Sequence, residues 1–305
     1  MSDVAAVPAA VSPAQGRGRP RSLASDAWAD LRRRPLFAVA AALIALLLLL
    51  AVAPGLFTSA DPTVGMLERS RQPPSAQAWF GYDVQGRDVW ARTVHGTRVS
   101  IVVGVSATAL TVLVGGAIGL VAGYAGGWLD GLVSRVAEVF AGLPFVLGGI
   151  VVLSTFRERV HGELGTTALV VATMAALGWP TAMRIMRAAA VAAREQEYVR
   201  AARGLGAGPW RIVVRHLLPN CLSPVLVYAT IALGAFIGAE ATLSFLGVGL
   251  RDPVVSWGVM ISESRDYLRT SPYLVLFPAG FLAVTVLAFV TLGDAVREAF
   301  DPRGR

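Results

Sequence analysis

The run E-Q-E-Y-V-R-A-A-R-G-L-G-A-G-P-W-R-I-V-V-R-H-L-L-P-N, Glu195 to Asn220, is a polar, arginine-rich island between two strongly apolar segments. Its spacing predicts two short helices broken at a glycine. Tyr198, Ala201, Ala202 and Leu205 recur at i, i+3, i+4 and i+7 and share one helical face, from which Arg200 and Arg203 point away. Gly206 suits the stop, because it takes positive φ without the clash a Cβ would bring. Pro209 then suits a first helical turn, and Trp210, Val213, Val214, Leu217 and Leu218 form a second apolar face that Pro219 ends. The small pair Ala201 and Ala202 lets a neighbouring backbone or a bulky side chain come close, as a knob enters a socket.

The charge around this island fixes its side of a membrane. Arg184, Arg187, Arg194, Arg200, Arg203, Arg211 and Arg215 stand against Glu195 and Glu197 alone, so the loop 184–220 reads as cytoplasmic by the positive-inside rule. The chain supports a membrane reading throughout. Of its 305 residues 55% are hydrophobic and 15% charged, with a mean hydropathy of +0.60, too apolar for an ordinary soluble domain. All 27 basic residues are arginine. Without lysine there is no phosphate-binding Walker A site and no Schiff base, so ATP chemistry falls to another chain. The single cysteine, Cys221, excludes an internal disulfide, and His95, His161 and His216 are scattered without neighbouring ligands, so no metal site is expected. The formal charge of +7 sits on arginines that flank apolar spans, where it sets orientation rather than binding nucleic acid.

The chain divides into a cytoplasmic N-terminal tail (1–35), a first transmembrane helix (36–57), an external loop (58–98) and a core (99–305). Within the tail, Asp26 to Arg34, around Trp28 and Leu31, reads as an amphipathic segment on the membrane surface. The apolar run Leu36 to Phe57 is about 22 residues, long enough to span and longer than a secretory signal core. In the external loop Asp83, Arg87 and Asp88 are close enough for a local ion-pair network, with Gly81 and Gly86 allowing tight turns. A second span, Val99 to Tyr124, carries Gly115, Gly119 and Gly123 at four-residue spacing, which favours close helix packing. A third, after Gly126 and Gly127, is loosened at Pro144; a fourth runs from Thr166 to Met183. The fifth, from Leu222, contains Glu240 with Ser244 one turn on. A carboxylate there either serves the pore or holds two helices in register. The sixth runs from Tyr273 to Leu292, placing both termini in the cytoplasm. The predicted class is an all-α integral membrane protein with six transmembrane helices.

Several of these segments resemble one family. Ala201-Ala202-x-x-x-Gly206, followed by His216-x-Leu218-Pro219, looks like the cytoplasmic loop of ABC-importer permease subunits, and its flanks Glu197-Tyr198-Val199 and Arg215 to Asn220 resemble the C-type subunit of the dipeptide/oligopeptide branch. Phe80 to Val89, Gly238 to Gly247, and Pro253 with Trp257 are similar to the same branch, with Tyr82 where a threonine is usual. The resemblance implies a five-helix importer-permease core plus an N-terminal helix in a bacterial cell membrane. It implies a homologous permease subunit as heterodimer partner, two ATPase subunits or domains that bind ATP and Mg, and an external substrate-binding protein. The chain itself would bind no cofactor and catalyse no reaction. It assigns the loop 195–218 to ATPase coupling, with Glu197, Tyr198, Arg200, Ala201, Ala202, Arg203, Leu205, Gly206, His216 and Pro219 as the coupling residues. Arg200 departs from the pattern, standing where a glutamate would be, so docking falls to Arg203 or Glu197, or to a partner of matching charge. The rival reading is a secondary transporter driven by an ion gradient through Glu240. A membrane enzyme finds no paired carboxylates, HExxH or Ser/His set.

Overall fold

The computed structural model describes residues 34–300, so the expected surface segment around Trp28 and Leu31 lies outside the described residues. The long elements are α1 (Pro35–Val52), α2 (Val89–Ala125), α3 (Gly127–Ala141), α4 (Phe145–Phe156) and α5 (Gly162–Arg194). They are followed by α6 (Glu197–Gly204), α7 (Pro209–Ile212), a π-helical turn (Val213–Leu217), α8 (Leu218–Phe245), α9 (Trp257–Ser264) and α10 (Tyr273–Phe300).

Five helical stretches are individually long and apolar enough to cross a bilayer, and α3 with α4, bent by 88° at their junction, make a possible sixth crossing. Contacts settle how the bent pair runs. A Cβ on Gly115 would meet Trp179, one on Gly119 would meet Met183, and one on Gly123 would meet Ala190, so α2 and α5 lie side by side and parallel. Two parallel neighbours require the chain between them to return the whole distance. It does: along α5, Asp130 pairs with Arg187, Phe140 stacks edge-on with Trp179, and Gly148 abuts Leu177. Thus α3 and α4 together make one pass, broken where Gly142 and Pro144 interrupt the helical ladder. α8 runs antiparallel to α2 (Gly104 against Ile237, Ser100 against Glu240) and to α10 (Gly234 against Phe289, Gly293 against Ile231). α1 pairs with α10 through Arg34 and Glu298 at one end. Six passes result, and the residue 34 and residue 300 ends share a side with the turn between α5 and α8.

Glycine makes the α2–α5 contact possible. A Cβ at Gly119 would lie 2.3 Å from the Met183 carbonyl oxygen, and one at Gly115 2.5 Å from that of Trp179, so the backbones touch directly. In lipid such van der Waals contact drives association where no hydrophobic force separates helix from solvent. Gly126 and Gly127, at φ of 66° and 60°, make the reversal into α3.

Two boundaries differ from the sequence reading. α2 begins at Val89, ten residues before the expected span, because the Asp88 carboxylate caps it, accepting from the Ala91 N–H at 2.9 Å. Pro219 does not end a helix. The π-turn at Val213–Leu217 widens the coil just before it, which relieves the clash of a proline ring with the preceding turn, and α7 to α8 run on as one 37-residue helix.

Candidate functional site

The turn between α5 and α8 is closed by glycine geometry. Gly206 has a φ of 80°. The Ala207 N–H donates to the Ala202 carbonyl at 3.0 Å and the Gly206 N–H to that of Arg203 at 2.9 Å, a Schellman motif that satisfies the last carbonyls of α6. Glu197 in the first turn and Arg203 in the last complement the helix dipole.

This turn has two sides. Beneath it, Val199, Ala202, Ile212 and Leu217 are buried with Leu120 of α2, Ala190 and Ala193 of α5, and Cys221 and Val225 of α8. Arg203 lies over the Tyr124 ring at 5.7 Å, a cation–π contact at the end of α2. Arg194 Nη1 donates to the Gly123 carbonyl at 2.8 Å. On the outer side Tyr198, Ala201, Leu205 and Trp210 are exposed, Leu205 by 89% and Trp210 by 79%. The face that the spacing singled out therefore exists, but of its members only Ala202 turns inward; the buried anchor is Val199, 60° of arc from Ala202 at about 100° per residue. In the second face Leu217 is buried while Trp210 and Val214 are exposed, and Ile212, outside the expected set, takes the inner place, because the π-turn shifts the register. Glu197 and Arg200 are exposed, Arg200 3.8 Å from Glu195. His216 lies 6.4 Å from Tyr198, ring to ring. Pro219 is exposed within the first turn of α8.

From this turn one helix leads to Glu240. Its carboxylate is fully buried. Oε1 accepts from the Ser244 hydroxyl at 2.8 Å and the Ser256 hydroxyl at 3.0 Å, and Oε2 faces the Ser100 hydroxyl at 3.5 Å. Ser256 also caps α9, accepting from the Val259 N–H at 3.2 Å, and Ser244 accepts from the Leu250 N–H at 3.0 Å. Trp257, fully buried, donates from Nε1 to the Thr93 carbonyl at 3.0 Å and from its backbone to Ser100. Glu240 therefore joins α2, α8 and α9 at one point. The adjacent groove of about 390 Å³ is lined by Phe145, Leu177, Thr181, Tyr228, Phe236 and Ala239 among others, not by Glu240.

At the opposite end from the turn, Arg87 bonds Asp83 at 2.7 Å, Asp252 at 2.9 Å and Glu263 at 3.0 Å. Arg92, on the first turn of α2, bonds Glu263 at 2.9 Å. Its Nη1 lies 3.2 Å from Asp83, near enough for Coulomb attraction but off the hydrogen-bond direction. Three carboxylates share two guanidiniums. Burial, against the pull of Arg87 and with the added repulsion of Asp252 and Asp83, pushes the Glu263 carboxyl up to about 7. The expected network of Asp83, Arg87 and Asp88 is thus corrected. Asp88 is spent as the cap of α2, and Arg92, Asp252 and Glu263, which the sequence did not mark, complete the cluster. Asp252 and Glu263 stand at |i−j| of 165 to 176 from the arginines they bond, which leaves no local signal.

Residues 115–305 match the family described as binding-protein-dependent transport system inner membrane component. Residues 22–74 match the N-terminal transmembrane domain of oligopeptide transport permease C. The chain is 34% identical over 278 residues, 91% of its length and 89% of the relative's, to the dipeptide transport system permease protein DppC of Alkalihalophilus pseudofirmus. It is 35% identical over 284 residues, 93% and 91% of the two chains, to the oligopeptide transport system permease protein OppC of Bacillus subtilis. The glutathione transport system permease protein GsiD of Pectobacterium atrosepticum is 34% identical over 236 residues, 77% of this chain and 76% of that one.

Proposed function

We infer how this chain works from its membership: it belongs to the family of binding-protein-dependent transport system inner membrane components and is a multi-pass permease subunit of a peptide-type ABC importer. The α5–α8 turn is the point at which a separate ATPase grips it. The observation that carries this reading is the turn's two-sidedness. Its underside is anchored in the ends of α2, α5 and α8, and its outer face presents Leu205 and Trp210 without cover, with Tyr198 partly exposed beside His216. Packed contacts pass a displacement on rather than absorb it. The single helix from Pro209 to Phe245 then carries that displacement about 45 Å, at about 1.5 Å per residue, from Trp210 to the Glu240 junction.

The complex consists of this chain and a homologous permease, which together form the pathway, two ATPase subunits or domains that bind ATP and Mg, and an external substrate-binding protein. This chain performs no hydrolysis of its own. The turn and both termini face the cytoplasm of a bacterial cell, as the arginine excess of residues 184–215 and the shared side of the two described ends support. Di- and oligopeptides are the substrates, on the strength of the relatives' names. A carrier role for Glu240 lacks support, because its carboxylate is closed in by three hydroxyls away from the groove. The test is uptake in vesicles with ATP supplied or depleted. Uptake that survives depletion sinks the importer reading.

A further inference from the structure

Two guanidiniums at the outer end of the bundle converge on one carbonyl. Arg251 Nε donates to the Gly247 oxygen at 2.7 Å, and its Nη2 reaches the same atom. Arg157 Nη1, from the end of α4, donates to it at 3.3 Å and approaches the Val248 oxygen at 3.5 Å. Neither guanidinium has a carboxylate within ion-pair distance among the described residues. Asp252, beside them, is bound to Arg87, and Glu163, at the head of α5, lines the same pocket without an ion pair to either arginine among the described residues. Both arginines, Glu163 and Asp252 line a pocket of about 210 Å³. Two like charges held against one carbonyl dipole repel each other, and most of their N–H groups are unused. A planar carboxylate would accept from both forks and cancel the repulsion.

The pocket stands where the pathway needs it. It is built from the outer ends of α4 and α5 and the link after α8, and the same three helices line the groove at Phe145, Leu177 and Ala239. Gly247 is eight residues beyond Ala239, about 12 Å along the axis at about 1.5 Å per residue.

We propose that Arg157 and Arg251 form a carboxylate site at the outer mouth, which receives the free C-terminal carboxylate of an incoming peptide above the groove. This rests on the importer reading for its ligand, and the experiment separates the two. The chain, assembled with its partner subunits in lipid nanodiscs and without external protein, is probed by saturation-transfer NMR with Ala-Ala and with Ala-Ala amide. The acid should give a signal at least fivefold stronger than the amide. Arg157→Gln and Arg251→Gln should each reduce the acid to the amide's level, and Glu163→Gln, which removes a competing carboxylate, should raise it. Thermal unfolding recorded alongside keeps the comparison to folded protein. If the arginine variants do not fold, the Glu163→Gln rise decides alone. Equal signals for acid and amide, or an acid signal that persists in the double variant, overturns the site. In a second set of nanodiscs the external protein is added and its capture measured; variants that leave Ala-Ala untouched but weaken that capture place the carboxylate on that protein and overturn the site equally. Failure of the unaltered assembly, reconstituted with the external protein in closed vesicles, to take up peptide on addition of ATP would instead sink the importer reading.

Discussion

The Ser256 hydroxyl donates to Glu240 at 3.0 Å, and this bond fastens the cap helix α9 to the far end of the helix that begins at the α5–α8 turn. The two helices are joined again where the Ser262 hydroxyl donates to the Phe245 carbonyl at 3.0 Å and where Gly258 abuts Ala241, so a displacement of α8 would carry the cap helix with it.

Glu240→Ala removes the shared acceptor of Ser100, Ser244 and Ser256 and leaves their O–H groups without that acceptor, while the backbone N–H groups bonded to them keep theirs. Each orphaned buried donor costs about 1–3 kcal/mol, so the thermal unfolding temperature should fall by several degrees. Glu240→Gln keeps the shape and half the acceptor capacity, and uptake should stay ATP-dependent. Uptake by Glu240→Gln that loses its drive while ATP binding is intact would restore the carrier reading.

The α2–α5 seam gives a paired test. Gly119→Ala places a Cβ 2.3 Å from a backbone oxygen and should reduce the amount of folded protein recovered from membranes. Gly131→Ala, on α3 with open space around it, should be neutral or stabilise by about 0.5–1 kcal/mol. Equal recovery of both variants would show that the close contact is not needed.

The outer network should respond to pH. With Glu263 at about 7 in the folded chain against an ordinary 4.5, the folded state holds a proton that the unfolded state has released. Its contribution is whole below about pH 4.5 and is lost as pH rises through about 7. Amide-exchange protection across residues 83–92 should fall between pH 5 and pH 8, and Glu263→Gln should flatten the profile. Protection that instead rises with pH would contradict the assignment.

Arg200 is exposed, and among the described residues its guanidinium pairs with Glu195 alone, at 3.8 Å, so its part in docking is read by charge. Arg200→Glu should change the affinity for the ATPase subunits severalfold without changing the thermal stability of the chain. Unchanged affinity would remove position 200 from the docking face.

Much of this was legible in the chain. The apolar runs marked all six passes, the four-residue glycine spacing marked a close seam, and Gly206 marked the break, because each depends on residues within a few turns. The turn's inner anchor was not. Tyr198, Ala201 and Leu205 share a face, but nothing local says whether a face turns to protein or away, and here the π-turn and the ends of α2 and α5 decide it. Pro219 misled for the same reason: a widened coil accommodates it. The outer cluster joins Arg87 and Arg92 to residues more than 160 positions away, and only the folded bundle brings those charges together.

The coupling turn is tested most directly by Gly206→Pro in the reconstituted transporter, with ATPase binding and peptide uptake measured together. Proline cannot adopt the φ of 80° found there. The variant should insert, retain its helices and fail to hold the ATPase, with ATP-driven uptake abolished. Full ATP-coupled uptake by a correctly inserted Gly206→Pro chain would contradict the account.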